Sequence, residues 1–245
     1  RVDIPKLNLG VTNLPTITGG YILKVDRADS DERTFYDSAL ESSVVYVDPP
    51  GLEMVSAARA AQAQYIRNYL SGFGTALYSS SYTNPTTGYA AWIDVDSWID
   101  HHLLNVFTLN VDALRLRGYF FKNRDGKLEM GPLWDFDRAM GTSGGGDLRP
   151  FSPRAWMSAL APPSVGGDYG TDFFNADSAV FRNGWYRRLF TAPDFWQAWI
   201  DRWTDLRRGP LSTNALFAQV DALAAEVQPV DRKSTRLNSS HGKLS

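Results

Sequence analysis

The chain has 245 residues, no cysteine, three histidines and a formal net charge of −2, a length typical of one large domain or two small ones. The hydrophobic share of 43% and the charged share of 21% are those of a globular protein and exclude a wholly disordered chain. The lack of cysteine excludes disulfides and thiolate metal sites, and the near-neutral charge argues against a general nucleic-acid binder. No run of about eighteen apolar residues is present, so the sequence predicts no transmembrane segment.

The first third of the chain predicts two strands and a helix. Residues 21–26 form an apolar run with the alternation of a strand, and residues 44–47 form a second run that ends at a Pro-Pro pair. Residues 27–43 between them read as a polar, acidic loop. Over residues 51–70 apolar side chains recur at three- and four-residue steps, which predicts an amphipathic helix. Its predicted inner face consists of Met54, Ala58, Ala61, Tyr65 and Tyr69.

A helix, a hairpin and an acidic segment follow in the middle of the chain. Asp96 is the predicted N-cap of the helix. Two β-rich runs, 118–122 and 127–130, flank a turn that contains Asp-Gly and together predict a β-hairpin. The sequence Asp-Phe-Asp at 135–137 comes soon after the second run. The inner side of the helix is expected to carry Ile99, Leu103, Val106 and Phe107.

The last third predicts a long loop and then helices. Residues 141–177 are rich in Gly, Ser and Pro, and loops of this length in compact domains are usually functional or mobile. Beyond them, apolar residues recur at helical spacing in three groups, which we interpret as core-facing sides rather than an aromatic ligand site. The groups are Phe181, Trp185 and Leu189; Trp196, Trp199, Trp203 and Leu206; and Leu216, Val220, Leu223 and Val227.

The C-terminal end reads as foreign to the protein. Residues 231–241 correspond codon by codon to a translation of a common short-read sequencing adapter. A basic, Ser-rich natural tail is the alternative, but a match of this length is not expected by chance. We therefore assign residues 1–230 to one domain and residues 231–245 to a sequencing artefact.

The predicted hairpin has acidic residues before and after it. Because a hairpin returns the chain close to where it left, Asp112 and Asp135 are predicted to face one cleft although 23 positions separate them. Carboxylates with an amide oxygen nearby, here that of Asn110, suit a hard cation such as Mg²⁺. Protein kinases place a catalytic Asp, a short hairpin and a metal-binding Asp in the same order. The pattern also fits turn or cap residues that only bond their own backbone.

The most specific motifs are Asn-x-Asp at 110–112 and Gly-Pro-x-Trp-Asp-Phe-Asp at 131–137. Together with residues 17–23, 98–100 and 119–122, they closely resemble the spore-coat protein H (CotH) kinase family. Residues 195–207 also resemble the C-terminal helices of that family, so that the resemblance extends from about Arg1 to Leu206. It implies an α+β, atypical protein-kinase-like fold and a phosphotransferase that uses ATP and Mg²⁺.

The resemblance also implies roles for the aspartates. Asp112 would be the catalytic residue, which orients a substrate hydroxyl and accepts its proton. Asp135 would bind the Mg²⁺ that bridges the phosphates of ATP, and Asp137 is a weaker candidate for supporting the metal.

Three further residues are supporting candidates at this site. Asn110 is expected to shape the loop rather than to bind metal. Arg117 occupies the position, five residues after the catalytic Asp, where kinases of the usual kind carry a metal-binding Asn. The second metal ligand therefore stays unassigned. Arg115 and Arg117 are candidates for a phosphate contact, with pairing to a neighbouring carboxylate as the alternative.

The chain shows no Gly-rich phosphate loop before a strand lysine. Lys6 and Lys24 are its early lysines, and neither has a sequence context typical of nucleotide binding. The resemblance then implies that the nucleotide-binding lysine and its partner glutamate lie upstream of Arg1. We therefore expect a truncated N-terminal lobe, a largely helical C-terminal lobe, and a parent kinase of which residues 1–230 alone are inactive.

The implied substrate is a Ser or Thr of a protein, of the Ser-rich spore-coat or cell-surface type. The implied location is accordingly secreted, cell-surface or spore-coat, and no nucleic-acid partner is expected. The sequence does not name the substrate or the oligomeric state. Two alternatives stay open: a catalytically inactive, pseudokinase-like surface or adhesion module, and a hydrolase with paired carboxylates.

Overall fold

The computed structural model describes residues 4–110, 112, 113, 116, 118–142 and 183–241. The chain divides into two compact units, Arg1–Trp199 and Ile200–Ser245. In the first unit a five-stranded antiparallel sheet is combined with helices, which confirms the predicted α+β class. The described part of the second unit is helical. The truncated N-terminal lobe stays a prediction.

The sheet places its first strand in the middle. Its strand order is β2-β3-β1-β4-β5, and every neighbouring pair is antiparallel. The strands are β1 (Tyr21–Val25), β2 (Thr34–Asp37), β3 (Ser42–Asp48), β4 (Gly118–Lys122) and β5 (Leu128–Met130).

The structure confirms four of these five strands as the sequence predicted them. The fourth and fifth form the expected hairpin, in which Phe121 pairs with Glu129. Strand β2 lies within residues 27–43, where a loop was predicted. This edge strand has only four residues, and just one of them is buried, so it shows no apolar run.

Six helices accompany the sheet in the described residues. They are α1 (Gly51–Met54), α2 (Ala60–Tyr78), α3 (Val95–Phe107), α4 (Gly184–Leu189), α5 (Pro193–Arg208) and α6 (Thr213–His241). None of the helices in the described ranges is both long enough and apolar enough to span a membrane.

The helix predicted over 51–70 begins at Gly51 as expected, but it is interrupted after Met54 and its second part continues to Tyr78. The buried Arg59 side chain contacts Glu53 at 2.7 Å, Gln62 at 2.6 Å and the carbonyl of Leu7 at 3.0 Å. These contacts hold a 3₁₀ turn at Ala57–Arg59 between α1 and α2. The predicted inner face is also wrong at two positions, because Ala58 in the 3₁₀ turn and Ala61 in α2 are exposed. The buried apolar side chains of α2 are Ala63, Ile66, Leu70, Phe73, Ala76 and Leu77.

The N-cap of helix α3 lies two residues earlier than predicted. The Asp94 carboxylate accepts a hydrogen bond from the Ser97 amide at 2.8 Å, so Asp94 is the N-cap and Asp96 lies in the first turn. Ile99, Leu103 and Val106 are buried as predicted. The Trp98 indole donates to the carbonyl of Leu128 at 3.0 Å and so fixes α3 against β5.

Aromatic side chains join the sheet to the helices in the core of the first unit. Phe73 of α2, Trp98 of α3, Phe120 of β4 and Trp185 of α4 have neighbouring ring centroids 5.4 to 5.7 Å apart. The core interpretation is thus confirmed for Trp185, and also for Leu189 and Trp199, which are buried. Phe181 and most of the predicted loop over 141–177 lie outside the described residues.

The core interpretation is wrong for the C-terminal group. Val220, Leu223 and Val227 are 60 to 63% exposed on α6, and only Leu216 of that group is half-buried. Helical spacing fixes which residues share a face but not whether another element covers it. Helix α6 continues to His241. The assignment of residues 231–245 to a sequencing artefact stays a prediction.

Lys122 is a buried cation at the end of β4, and it predicts a pH-dependent stability. Its ammonium group donates to the carbonyls of Thr18 and Asn123 and lies 4.8 Å from the Tyr69 ring centroid. Burial lowers its pKa to about 8, below the usual value of a lysine. Between pH 8 and about 10.5 the unfolded chain therefore binds more protons than the folded one.

The free energy of unfolding should accordingly rise with pH across that window. In urea unfolding, the free energy of unfolding of the unaltered protein should rise between pH 8 and 10 by about 1 to 3 kcal/mol more than that of Lys122→Met. Lys127→Met, which removes an exposed lysine of the same hairpin, should keep the pH dependence of the unaltered protein. If the free energy of unfolding of Lys122→Met rose with pH as steeply as that of the unaltered protein, Lys122 would not be the source of the pH dependence.

Candidate active site

The loop after α3 is held by buried side-chain amides. The amide of Asn105 donates to the carbonyl of His101 at 2.8 Å, and its oxygen accepts from the amide of Asn110 at 3.0 Å. The Asn110 oxygen accepts in turn from the backbone amide of Asp112 at 3.4 Å. Asn110 is 1% exposed, so its side chain is engaged within the loop. This chain of bonds fixes the backbone of Asp112 to the last turns of α3.

Asp112 itself is buried beside an arginine from a distant part of the chain. The residue is 2% exposed, and the Nη1 atom of Arg138 lies 3.2 Å from both of its carboxylate oxygens. Arg138 comes three positions after Asp135. The structure thus brings Asp112 next to the acidic segment that follows the hairpin.

Backbone bonds close that segment onto the end of α3. The Gly131 amide donates to the carbonyl of Tyr119 at 2.8 Å at the end of the hairpin. Nine residues later the Met140 amide donates to the carbonyl of Thr108 at 2.8 Å. Asp135 between them adopts a left-handed backbone with φ of 60°, a conformation that Asp tolerates better than most residues. The return of the chain predicted from the hairpin is therefore present.

The predicted site residues differ in accessibility. Asp135 is half-buried and Asp137 is exposed, whereas Asp112 and Asn110 are buried. The carbonyl of Asp137 accepts from the Thr142 hydroxyl at 2.6 Å, which tightens the turn. Arg115 and Arg117 lie outside the described residues.

Sequence reasoning missed an ion pair beside this segment. The Lys24 ammonium lies 2.8 Å from the Glu32 carboxylate, and their side chains are 10% and 21% exposed. The second Glu32 oxygen accepts from the Asp29 amide at 2.9 Å, which fixes the carboxylate. In the sheet Lys24 pairs with Tyr119, whose ring centroid lies 6.0 Å from that of Trp134. Trp134 directly precedes Asp135.

Shifts in pKa show that these groups act on one another. Burial raises the pKa of Tyr119; the Lys24 charge lowers it, and the carboxylates of Asp26, Glu32 and Asp135 raise it further. Burial alone would lower the pKa of Lys24, but the hydrogen bond to Glu32 and the surrounding charges raise it overall. Lys24, Glu32 and Asp135 therefore each influence the Tyr119 hydroxyl, which lies between the ion pair and the acidic segment in this set of contacts.

The carboxylates of the acidic segment fit a Mg²⁺ ion whose remaining ligands are phosphate oxygens and water. They do not fit a closed site in which every ligand comes from the protein. Within the described ranges no group of three or more acidic or histidine side chains is arranged to hold a metal. Mg²⁺ usually takes one or two carboxylates and fills its remaining positions with water and phosphate oxygens. Asp135, half-buried, and Asp137, exposed, offer two such carboxylates two positions apart.

Comparison with known proteins gives a match to a protein-family model. The family model described as CotH kinase protein matches residues 11–242. The chain belongs to the CotH kinase family. The match contains the Asp112 loop, the hairpin, the 131–142 segment and the Lys24–Glu32 pair, and it extends into the residues interpreted as adapter. No curated protein and no solved structure matches the chain.

Removal of the Asn110 amide tests the loop architecture. Asn110→Ala leaves buried polar groups of Asn105 and Asp112 without this partner, and should lower the free energy of unfolding by about 1 to 3 kcal/mol. Asn68→Ala, at an exposed position of α2, should change it by less than about 0.5 kcal/mol. Equal effects in denaturant unfolding would contradict the supporting role of Asn110.

Proposed function

We propose that this protein is an atypical protein kinase that transfers the γ-phosphate of ATP to Ser or Thr of a protein substrate. Membership of the CotH kinase family supports the reaction class. The observation that carries the assignment of residues is the contact between Asp112 and Arg138, which joins the loop after α3 to the acidic segment after the hairpin.

Asp112 is the proposed catalytic residue. Its backbone is fixed by the Asn105–Asn110 bonds, so its carboxylate is positioned by the fold rather than by the substrate. A positioned carboxylate can accept the proton of an attacking hydroxyl, and such general-base catalysis contributes roughly 10²- to 10⁴-fold in rate. The substrate serine or threonine would therefore place its hydroxyl next to Asp112.

Asp135, with Asp137 in support, is the proposed magnesium ligand. When bound, Mg²⁺ would neutralise charge on the phosphate oxygens during transfer. The left-handed backbone at Asp135 and the closure of the segment by Met140 set the direction of the acidic side chains. These residues would accordingly bind and orient the metal-bound nucleotide.

Lys24 is the proposed nucleotide-binding lysine within this chain, with Glu32 as its partner. A strand lysine held by a glutamate is the arrangement that protein kinases use to contact the phosphates. The shared environment of Lys24, Tyr119 and Asp135 supports this role. The prediction from sequence placed the lysine upstream of Arg1 and expected residues 1–230 alone to be inactive. The two placements predict different effects of a Lys24 substitution on nucleotide affinity: a loss if Lys24 is the nucleotide-binding lysine, and no change if it is not.

The proposed substrates are Ser-rich proteins of the spore coat or cell surface, and the proposed location is the same. A pseudokinase-like module is the alternative: it would bind Mg²⁺–ATP without transfer. A hydrolase with paired carboxylates would show no Mg²⁺-dependent nucleotide binding.

Transfer of radiolabelled phosphate tests the two aspartates. Asp112→Ala and Asp135→Ala should each lower transfer to a Ser-rich protein by at least about 100-fold, because one removes the proton acceptor and the other a metal ligand. Asp96→Ala, at an exposed position of α3, should retain transfer. Unchanged transfer in both site variants would refute the assignment.

Nucleotide affinity tests the lysine. Lys24→Met should weaken Mg²⁺–ATP binding by about tenfold or more in calorimetry, since it removes a charge-assisted contact to phosphate. Lys6→Met, at an exposed lysine, should leave the affinity unchanged. An unaltered affinity in Lys24→Met would refute its role as the nucleotide-binding lysine.

A further inference from the structure

We propose that Arg138 is a nucleotide-contacting residue that pairs with Asp112 in the free protein and moves to the terminal phosphate when Mg²⁺–ATP binds. The inference rests on the proposed function and adds a residue to which the sequence analysis gave no role. It concerns the step at which the catalytic carboxylate becomes available to the substrate.

The contact between Arg138 and Asp112 has a geometry that favours exchange. A strong arginine–carboxylate pair uses two nitrogens in parallel, with distances of about 2.7 to 2.9 Å. Here a single nitrogen, Nη1 of Arg138, bridges both Asp112 oxygens, and each distance is 3.2 Å. This contact therefore lacks the parallel two-nitrogen geometry of the strongest arginine–carboxylate pairs, which suits a contact that is exchanged.

The Arg138 side chain is far more exposed to solvent than the Asp112 side chain with which it pairs. The Asp112 side chain is 3% exposed, while the Arg138 side chain is 32% exposed. A carboxylate so deeply buried cannot meet a substrate hydroxyl unless a neighbouring group moves. Arg138 contacts both carboxylate oxygens and is itself reached by solvent, so movement of its guanidinium would remove a contact from both of them.

Arg138 also lies close in sequence to the proposed magnesium ligands. Arg138 follows Asp137 directly and Asp135 by three residues, so a nucleotide bound through those carboxylates brings its phosphates to the same segment. Guanidinium binds phosphate at least as well as carboxylate, through the same planar donors. Negative charge arriving at Asp135 would therefore compete with Asp112 for Arg138.

Competition of this kind predicts a specific coupling. Asp112→Asn removes the competing charge, so Arg138 should be released to phosphate and Mg²⁺–AMP-PNP should bind about tenfold more tightly. The gain should be absent for Mg²⁺–ADP, which lacks the terminal phosphate. It should also be lost when Asp112→Asn is combined with Arg138→Gln. A purely structural pair would give the same Asp112→Asn effect with and without Arg138.

The experiment measures calorimetric affinities of the full chain and its variants for Mg²⁺–AMP-PNP and Mg²⁺–ADP. Thermal unfolding verifies that each variant is folded. Arg138→Lys is the second variant: it keeps a positive charge for Asp112 but offers phosphate only a point contact, and should retain a smaller gain. Asp135→Ala should abolish binding in every background.

The outcomes separate the inference from the proposed function. A tightening by Asp112→Asn that is specific for AMP-PNP and requires Arg138 supports the exchange. Binding that depends on Asp135, with an Asp112→Asn effect independent of Arg138, overturns the exchange and leaves the kinase proposal standing. Absence of Mg²⁺–AMP-PNP binding in all variants overturns both.

Discussion

The candidate site depends on the return of the chain from the β4–β5 hairpin to the end of α3. The Met140–Thr108 backbone bond and the Arg138–Asp112 ion pair close this return. The hairpin is held on one side by β1 and on the other by α3, through the Trp98 indole. A segment fixed at both ends carries its acidic side chains at a defined position, which is what catalysis by positioning requires.

Burial and charge divide the site into two parts. Asp112 and its amide network are inside the protein, where a change of partner alters the properties of a carboxylate most strongly. Asp135, Asp137 and the Lys24–Glu32 pair are nearer to solvent, where a charged nucleotide can reach them. Arg138 contacts Asp112 in the buried part and follows Asp137 of the exposed part directly in sequence. It is therefore placed to exchange the Asp112 carboxylate for a phosphate bound at the acidic segment.

The sequence was sufficient for features that depend on local patterns. The β-rich runs at 118–122 and 127–130 and the Asp-Gly turn predicted the hairpin. The positions of the aspartates before and after it predicted the proximity of Asp112 to the 131–137 segment. Local patterns did not reveal the Lys24–Glu32 pair, because it joins a strand to a loop. The Arg138–Asp112 pair spans 26 positions and depends on the same tertiary return. Exposure of Val220 and Leu223 was likewise not predictable, since periodicity does not identify a covering partner.

A structure with Mn²⁺ and AMP-PNP tests the central claim most directly. The anomalous signal of Mn²⁺ should lie at direct coordination distance, about 2.1 Å, from a carboxylate oxygen of Asp135, with the terminal phosphate toward Asp112. A nucleotide bound elsewhere on the chain, or a metal that does not contact Asp135, would contradict the account.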